Sequence, residues 1–291
     1  MKKRDILLAI AIMFLWSGNF ALIKTALTSF SPFTFNVARV AIASLFALPF
    51  IQLPKGRLKE ALLMGFIFGF GHLSLLIIAL SYGMDVSTTV IIGQTGVPFS
   101  CILGSIFLKD KLGARRSLAL AIAFIGVFIF AGTPNVSNNI IGFSILICSF
   151  VFWAIMNVYS KAKLHDIPPI TRIGWGLIFS LPLLFIIMLF TDGIPIEMIK
   201  NARSIDFICL IVSSIFPLLL ANIAWQYLLN KYTVSSVAPF ALLVPFFGSF
   251  FGVMIFDDVF TQSMFIGGAL IMTGVAVIVW RQPSVTKMGD S

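Results

Sequence analysis

The chain has 291 residues, of which 59% are hydrophobic and 11% charged, with a formal charge of +9 and a mean hydropathy of +1.05. A soluble domain needs about 25% charged residues to cover its surface, so this composition excludes a soluble protein and describes one that faces a lipid bilayer. The positive residues lie in short loops between apolar runs, with no basic face or tail and no Phe interleaved among them, which argues against nucleic acid as a partner.

A helix crossing about 30 Å of hydrocarbon needs roughly 20 residues, and runs of that length predict about ten spans. The first, 6–27, follows a basic start that imitates a signal peptide. It runs on past any A-x-A-like cleavage site and is read as a retained helix. It contains WSGNFALIK (16–24), where Trp16, Ser17, Asn19 and Lys24 interrupt an otherwise apolar helix. The second, 33–53, carries Asn36 and Arg39. The third, 61–81, carries His72 and a G-x-x-x-G pair, Gly65 and Gly69, a spacing that permits close helix crossing. The fourth, 86–108, holds Gln94 and Pro98, and the fifth is 117–132. The sixth, 140–159, contains WAIMNVYSK (153–161) with Trp153 and Asn157. The seventh, 172–190, is followed by the longest loop, 191–204, expected along the membrane interface. The eighth, 205–228, carries Pro217, Asn222, Trp225 and Gln226. The ninth, 234–256, holds Pro239, Pro245 and a second G-x-x-x-G pair, Gly248 and Gly252. The tenth is 262–280. Cys101, Cys148 and Cys209 sit in apolar runs without metal-ligand spacing and read as small buried hydrophobes.

Lys and Arg bias sets orientation. With a cytoplasmic N-terminus, the inner loops receive Lys2, Lys3, Arg4, Lys55, Arg57, Lys59, Lys109, Lys111, Arg115, Arg116, Lys161, Lys163, Arg172, Lys231, Arg281 and Lys287. The outer loops receive only Lys200 and Arg203. A miscounted span would reverse the sign downstream, so the asymmetry argues for an even count. It places both termini in the cytoplasm and the chain in a bacterial inner (plasma) membrane.

The two interrupted stretches share a Trp followed eight residues later by Lys: Trp16 and Lys24, Trp153 and Lys161. VSTTVIIGQTGVPF (86–99) resembles VSSVAPFALLVPF (234–246), and Asp110–Gly126 has the same separation as Asp258–Gly274. The chain therefore reads as two five-helix units, 1–137 and 138–291. Because five is odd, the second unit must be inverted in the bilayer, an arrangement of secondary transporters that bind substrate near the midplane between repeats.

WSGNFALIK, SVAPFALLVPFFGSFFGVMIFDD and GGALIMTGVAVI resemble the EamA-type family of the drug/metabolite transporter superfamily, over essentially the whole chain. The ninth and tenth spans are most similar to its cysteine and O-acetylserine exporters. The resemblance implies export of a small metabolite such as an amino acid. Family members commonly carry a Glu in an LFGE-type sequence after the fourth and ninth spans, where this chain has IFLKD and MIFDD.

Polar residues in spans are expensive, by about 2.5–3.5 kcal/mol for a central Arg, Lys or Asp on insertion scales. Arg39 could fork onto a substrate carboxylate, or cap carbonyls of a neighbouring helix, or snorkel outward. His72 could exchange a proton near neutral pH, or hydrogen-bond a neighbouring helix. It is the candidate for ion coupling because every Asp and Glu falls in a loop or at a helix end. Asn19, Gln94 and Asn157 offer both donor and acceptor to an amino-acid head group, or bind one another across helices. Trp16, Trp153, Trp175 and Trp225 would wall an apolar cavity or fill helix contacts. Pro98 and Pro245, matched between the units, would let the fourth and ninth helices bend.

The leading reading is a secondary carrier of a small polar metabolite working by alternating access, with no cofactor or metal and as a monomer or homodimer. No G-x-x-x-x-G-K-[ST] occurs to bind ATP. An exporter or flippase of lipophilic compounds or purines is the alternative in the same fold. An intramembrane enzyme is remote, because His72 and Ser74 point to different helix faces and no paired aspartates or His/Cys cluster exists in a span.

Overall fold

The computed structural model describes residues 1–107, 113–132, 137–232, 240–241 and 243–280, and among these it consists of helices and turns without a strand. Asp110 and Pro239 lie outside the described residues, as do Lys109, Lys111, Arg281 and Lys287. In chain order the apolar helices are α1 (Lys3–Ala26), α2 (Pro32–Ala47), α3 (Leu58–Ser81), α4 (Val86–Phe107), α5 (Ala114–Ala131), α6 (Ile140–Lys163), α7 (Pro169–Thr191), α8 (204–231), α9 (Leu243–Phe256) and α10 (Gln262–Trp280). Seven of these are long and apolar enough to cross a membrane; α5, α9 and α10 contain shorter apolar stretches. Loop 191–204 forms a short helix, Ile196–Asn201, with Ile196 and Ile199 exposed.

Proline explains where the regular pattern starts and breaks. Pro32 and Pro169 each occupy the first helical turn of α2 and α7, where a missing N–H is harmless and φ is already helical. Pro49 turns the end of α2 into a short 3-10 segment, so the helix stops before the expected residue 53. Pro98 removes the N–H that Gln94's carbonyl would accept. Val97 N–H takes that carbonyl at 3.1 Å, and α4 breaks at Gln94–Thr95. Two helices contain π-helical stretches, Gly65–Ser74 in α3 and Ser214–Leu220 in α8, the latter around Pro217. Widened turns of this kind are frequent at functional sites.

The packing has a repeating pattern. Helix α1 lies chiefly against α8 and α9, and α6 against α3 and α4; α2 pairs with α7, α4 with α9 and α5 with α10. Advancing every helix by five positions around the ten turns each of these pairs into itself or another of them. At the α5–α10 pair the exchange holds at atomic detail. A Cβ on Gly126 would lie 2.7 Å from the Gly267 carbonyl oxygen and 2.8 Å from Ile271 N. One on Gly274 would lie 2.6 Å from the Ala119 carbonyl oxygen and 2.8 Å from Ala123 N. Ala119, Ala123 and Gly126 stand 148 residues before Gly267, Ile271 and Gly274.

Helices α2 and α7 run antiparallel and are tied at both ends. Beyond the end of α7, Asp192 Oδ2 accepts from Ser31 Oγ, from Thr34 N at 2.8 Å and from Thr34 Oγ1 at 3.0 Å, capping the start of α2. Beyond the end of α2, Gln52 N–H donates to Thr171 Oγ1 at 3.2 Å, and the Gln52 carbonyl accepts from Trp175 Nε1 at 2.8 Å. Trp175 is therefore an anchor between helices and not a cavity wall.

The outer surface is apolar: Phe128, Phe190, Phe246 and Phe265 are each more than two-thirds exposed. Patches on this scale are covered by lipid in a multi-pass membrane protein. Cys148 is also exposed and only Cys209 is buried, so the expectation of three buried thiols holds for one. Lipid tails are as apolar as Leu, so helix association rests on close packing of small residues and on interhelical hydrogen bonds.

Candidate functional site

The polar stretch of α1 is distributed among three neighbouring helices. Ser17 Oγ lies 2.7 Å from the Met13 carbonyl and 3.0 Å from that of Val244, pinning α1 to the start of α9 beside Pro245. The Phe251 ring lies over Gly18, where an added Cβ would meet it at 3.4 Å, an ordinary contact. Trp16 Nε1 donates to the Pro217 carbonyl at 3.3 Å, inside the π segment of α8. Asn19 Oδ1 accepts from Arg39 Nη2 at 3.1 Å.

Arg39 is the centre of this network and is 1% exposed. Its Nε donates to the Ser213 carbonyl at 3.4 Å. In a regular helix that carbonyl would accept from residue 217, but Pro217 has no N–H. A proline in α8 thus frees the carbonyl that holds an arginine from α2. Arg39 Nη1 has no partner, and among the described residues no carboxylate pairs with the guanidinium. A buried charge is normally paired; this one is held through Nε and Nη2, with Nη1 unpartnered.

One helical turn before it, Asn36 is fully buried and donates through Nδ2 to Ser74 Oγ at 2.8 Å, while its Oδ1 has no partner. Ser74 donates to the Gly69 carbonyl at 3.2 Å, five residues back along the π segment.

His72 occupies the same π segment and is 6% exposed. Its Nδ1 is 3.1 Å from the Ser149 carbonyl and 3.0 Å from Ser149 Oγ, whose proton reaches the His72 carbonyl at 3.0 Å. With that proton committed, Nδ1 is assigned as the N–H that donates to the Ser149 carbonyl. Aromatic rings surround it: Trp153 at 5.0 Å between centroids, Phe150 at 5.7 Å and Phe68 at 6.3 Å. Trp16 continues the cluster, 6.1 Å from Trp153 and 5.4 Å from Trp225.

The structure therefore brings together Asn19 with Arg39, and His72 with Trp153, Trp16 and Trp225. Two expected members stand apart. Gln94 is buried at the break of α4 with Nε2 3.4 Å from the Val90 carbonyl. Asn157 is half-buried one turn beyond Trp153, without a hydrogen bond among the described residues. Pro98 and Pro245 occupy the same place, third in their helical segments Gly96–Phe107 and Leu243–Phe256.

Both ends of α1 carry charges, and each is paired. Lys231 Nζ is 3.0 Å from Asp5 Oδ2, which also accepts from Tyr232 Oη. At the other end Lys24 Nζ is 3.9 Å from Asp258 Oδ1 and lies 4.6 Å from the Phe256 ring centroid, while Ser87 N–H donates to Asp258 Oδ2 at 2.9 Å. Lys24 is thus paired across helices.

Sequence reasoning left Asn36 unassigned among the polar residues, weighed Ser74 only as a partner of His72, and passed over Ser149 and Ser213. Serine is common in membrane helices because it can bond its own backbone. The usable signal was Ser213 standing four residues before Pro217.

The EamA-like transporter family model matches the chain twice, over residues 3–132 and 140–280. The chain is 26% identical to the "Probable amino-acid metabolite efflux pump" of Escherichia coli (strain K12), covering 100% of both. It is 25% identical to the protein of the same name from Salmonella typhimurium, covering 96% of each. A crystal structure at 14% identity superposes with a TM-score of 0.64 over 96% of this chain and 99% of the other, a likeness of fold. With the family model matching both halves, nearly the whole chain, this chain is a membrane transporter of the EamA-like transporter family.

Proposed function

We propose that the protein is a secondary carrier that exports a small metabolite bearing a carboxylate, most simply an amino acid, from the cytoplasm across a bacterial inner membrane. One observation carries the reading: Arg39, buried in the bundle, has no carboxylate partner among the described residues and keeps Nη1 unpartnered. A guanidinium offers a carboxylate two parallel charge-assisted bonds. The ring cluster of Trp16, Trp153, Trp225 and His72 beside it suits the apolar body of such a substrate. The efflux-pump names of the two enterobacterial relatives support the same class.

The ten helices act as spans, with both termini cytoplasmic, in two units of five, 1–137 and 138–291. The five-step exchange of packing partners and the antiparallel α2–α7 pair support an inverted relation between the units. Alternating access would rock α1, α8 and α9 against α6, α3 and α4 around Arg39. Pro98 and Pro245 act as bending points in α4 and α9. Pro98→Ala and Pro245→Ala are each expected to slow exchange several-fold in proteoliposomes; rates equal to wild type would show that bending at these prolines plays no part.

His72 is the group placed to carry a coupling proton. Counterflow needs no gradient, so His72→Gln is expected to reduce accumulation driven by a pH gradient by a far larger factor than it slows counterflow. Accumulation that survives the change would remove His72 from coupling.

The test of the reading as a whole is counterflow in proteoliposomes preloaded with single amino acids, including cysteine and O-acetylserine. Trans-accelerated uptake by one of them supports it. If folded protein counterflows none, the reading fails, and lipophilic compounds or purines become the substrates to try.

A further inference from the structure

Seven buried side-chain polar atoms lack a partner among the described residues, and two of them, one turn apart on α2, are of opposite kind. Arg39 Nη1 and Asn36 Oδ1 are buried without partners, on side chains 1% and 0% exposed. They stand three residues apart on α2, the spacing at which helix side chains are neighbours, about 5–6 Å between Cβ atoms. The guanidinium can only donate. The identity of the free Asn36 atom is fixed by its neighbour. Ser74 has one hydroxyl proton and sends it to the Gly69 carbonyl at 3.2 Å. Ser74 Oγ therefore accepts from Asn36, which must turn its Nδ2 toward it, at 2.8 Å. What remains open on Asn36 is the carbonyl oxygen, an acceptor.

A helix face in the middle of a membrane protein thus presents an unpaired positive donor and, one turn away, an unpaired neutral acceptor. An inorganic anion or a simple organic acid would satisfy the first and leave the second stranded. A molecule whose acid and amine share one carbon can satisfy both from a single pose. We infer that Asn36 is a specificity-determining residue of this site: its Oδ1 accepts a hydrogen bond from the protonated amine of a zwitterion whose carboxylate rests on Arg39. The site therefore selects α-amino acids over the corresponding deaminated or N-acylated acids. This inference rests on the reading that Arg39 binds the substrate carboxylate.

The test is competition in counterflow. Proteoliposomes exchanging a labelled amino acid are challenged with the unlabelled parent, its N-acetyl derivative and the matching deaminated acid. Wild type is expected to prefer the parent by at least about tenfold, the yield of one hydrogen bond to a charged group. Asn36→Leu, near in size but without the acceptor, is expected to bind more weakly and to bring parent and deaminated acid within about twofold of each other. Asn36→Asp, which restores an acceptor and adds charge, keeps or widens the preference. A purely structural asparagine would lower all three competitors together and leave their ratio unchanged, which overturns the inference. Equal competition by all three in wild type overturns it too, even where Asn36→Leu fails to fold, while Arg39→Met still abolishing exchange would leave the carboxylate reading standing. If no amino acid exchanges at all, it is that reading which fails, and this inference with it.

Discussion

Arg39→Met is expected to lower amino-acid counterflow by two orders of magnitude or more and to leave the unliganded protein nearly as heat-stable as wild type. The two halves of this result have separate causes. Truncating one partner of a buried, hydrogen-bonded charge pair costs about 2–5 kcal/mol of binding, and at about 1.4 kcal/mol per tenfold the midpoint exceeds a hundredfold. Stability is set by two opposing effects. A central arginine in a membrane helix costs about 2.5–3.5 kcal/mol on insertion scales, and no carboxylate offsets it in the described residues. Removing it forfeits two hydrogen bonds from a charged donor, to Asn19 and Ser213, each worth about 1.5–3 kcal/mol. At the lower end of that range the two effects nearly cancel. Arg39→Lys keeps the charge but lacks the planar fork and is expected to fall between, losing more affinity than maximal rate. The measurements are counterflow and the melting temperature in detergent without substrate. A clear drop in melting temperature for Arg39→Met would mean the guanidinium is a structural cap with its partners satisfied, and the carboxylate site would have to be sought elsewhere.

Gly126→Leu and Gly274→Leu are expected to be the most damaging single changes away from the site, and to be equally damaging. Each adds a side chain where a Cβ alone would already meet backbone atoms at 2.6–2.8 Å. Backbone cannot rotate aside as a side chain can, so α5 and α10 must part. Overpacking typically costs about 1–3 kcal/mol, and Leu at a backbone crossing belongs at or above the top of that range. Both changes pry apart the same interface, so the double variant is expected to lose less than the sum of the singles. Unfolding in mixed micelles measures this. Unequal penalties for the two glycines would break the equivalence of the two units at this pair of helices.

Much of the frame was legible in the sequence because membrane solvation is an unforgiving rule. The apolar runs fall close to the helices, and Pro98 and Pro245 share one structural position. Chemistry carried across the bundle was harder to read. Nothing local in WSGNFALIK says that Ser17 seeks a carbonyl at Val244 or that Asn19 seeks Arg39. Those bonds join α1 to α9 and α2. The π stretches were invisible for the same reason, since a widened turn is a response to neighbours such as Ser180, packed against Gly69. Trp175 was open between cavity wall and helix contact in the sequence, and its N–H reaching the Gln52 carbonyl beyond the end of α2 makes it the contact. Gln94 and Asn157 attracted notice as polar residues in hydrocarbon, and each sits beside a helix break or an aromatic face without joining the Arg39 network.

The exchange of first helices bears on how such a chain is made. Helix α1 packs with α8 and α9, and α6 with α3 and α4, so each repeat leaves its own leading helix in the other's keeping. The first repeat, emerging alone during synthesis, holds an α1 whose Asp5 and Lys24 have no counter-charges until Lys231 and Asp258 arrive. On this packing each repeat buries its leading helix chiefly against the other. If the chain were severed between α5 and α6, the fragments would need each other from the outset, assembling as an interlocked pair and not docking as finished halves.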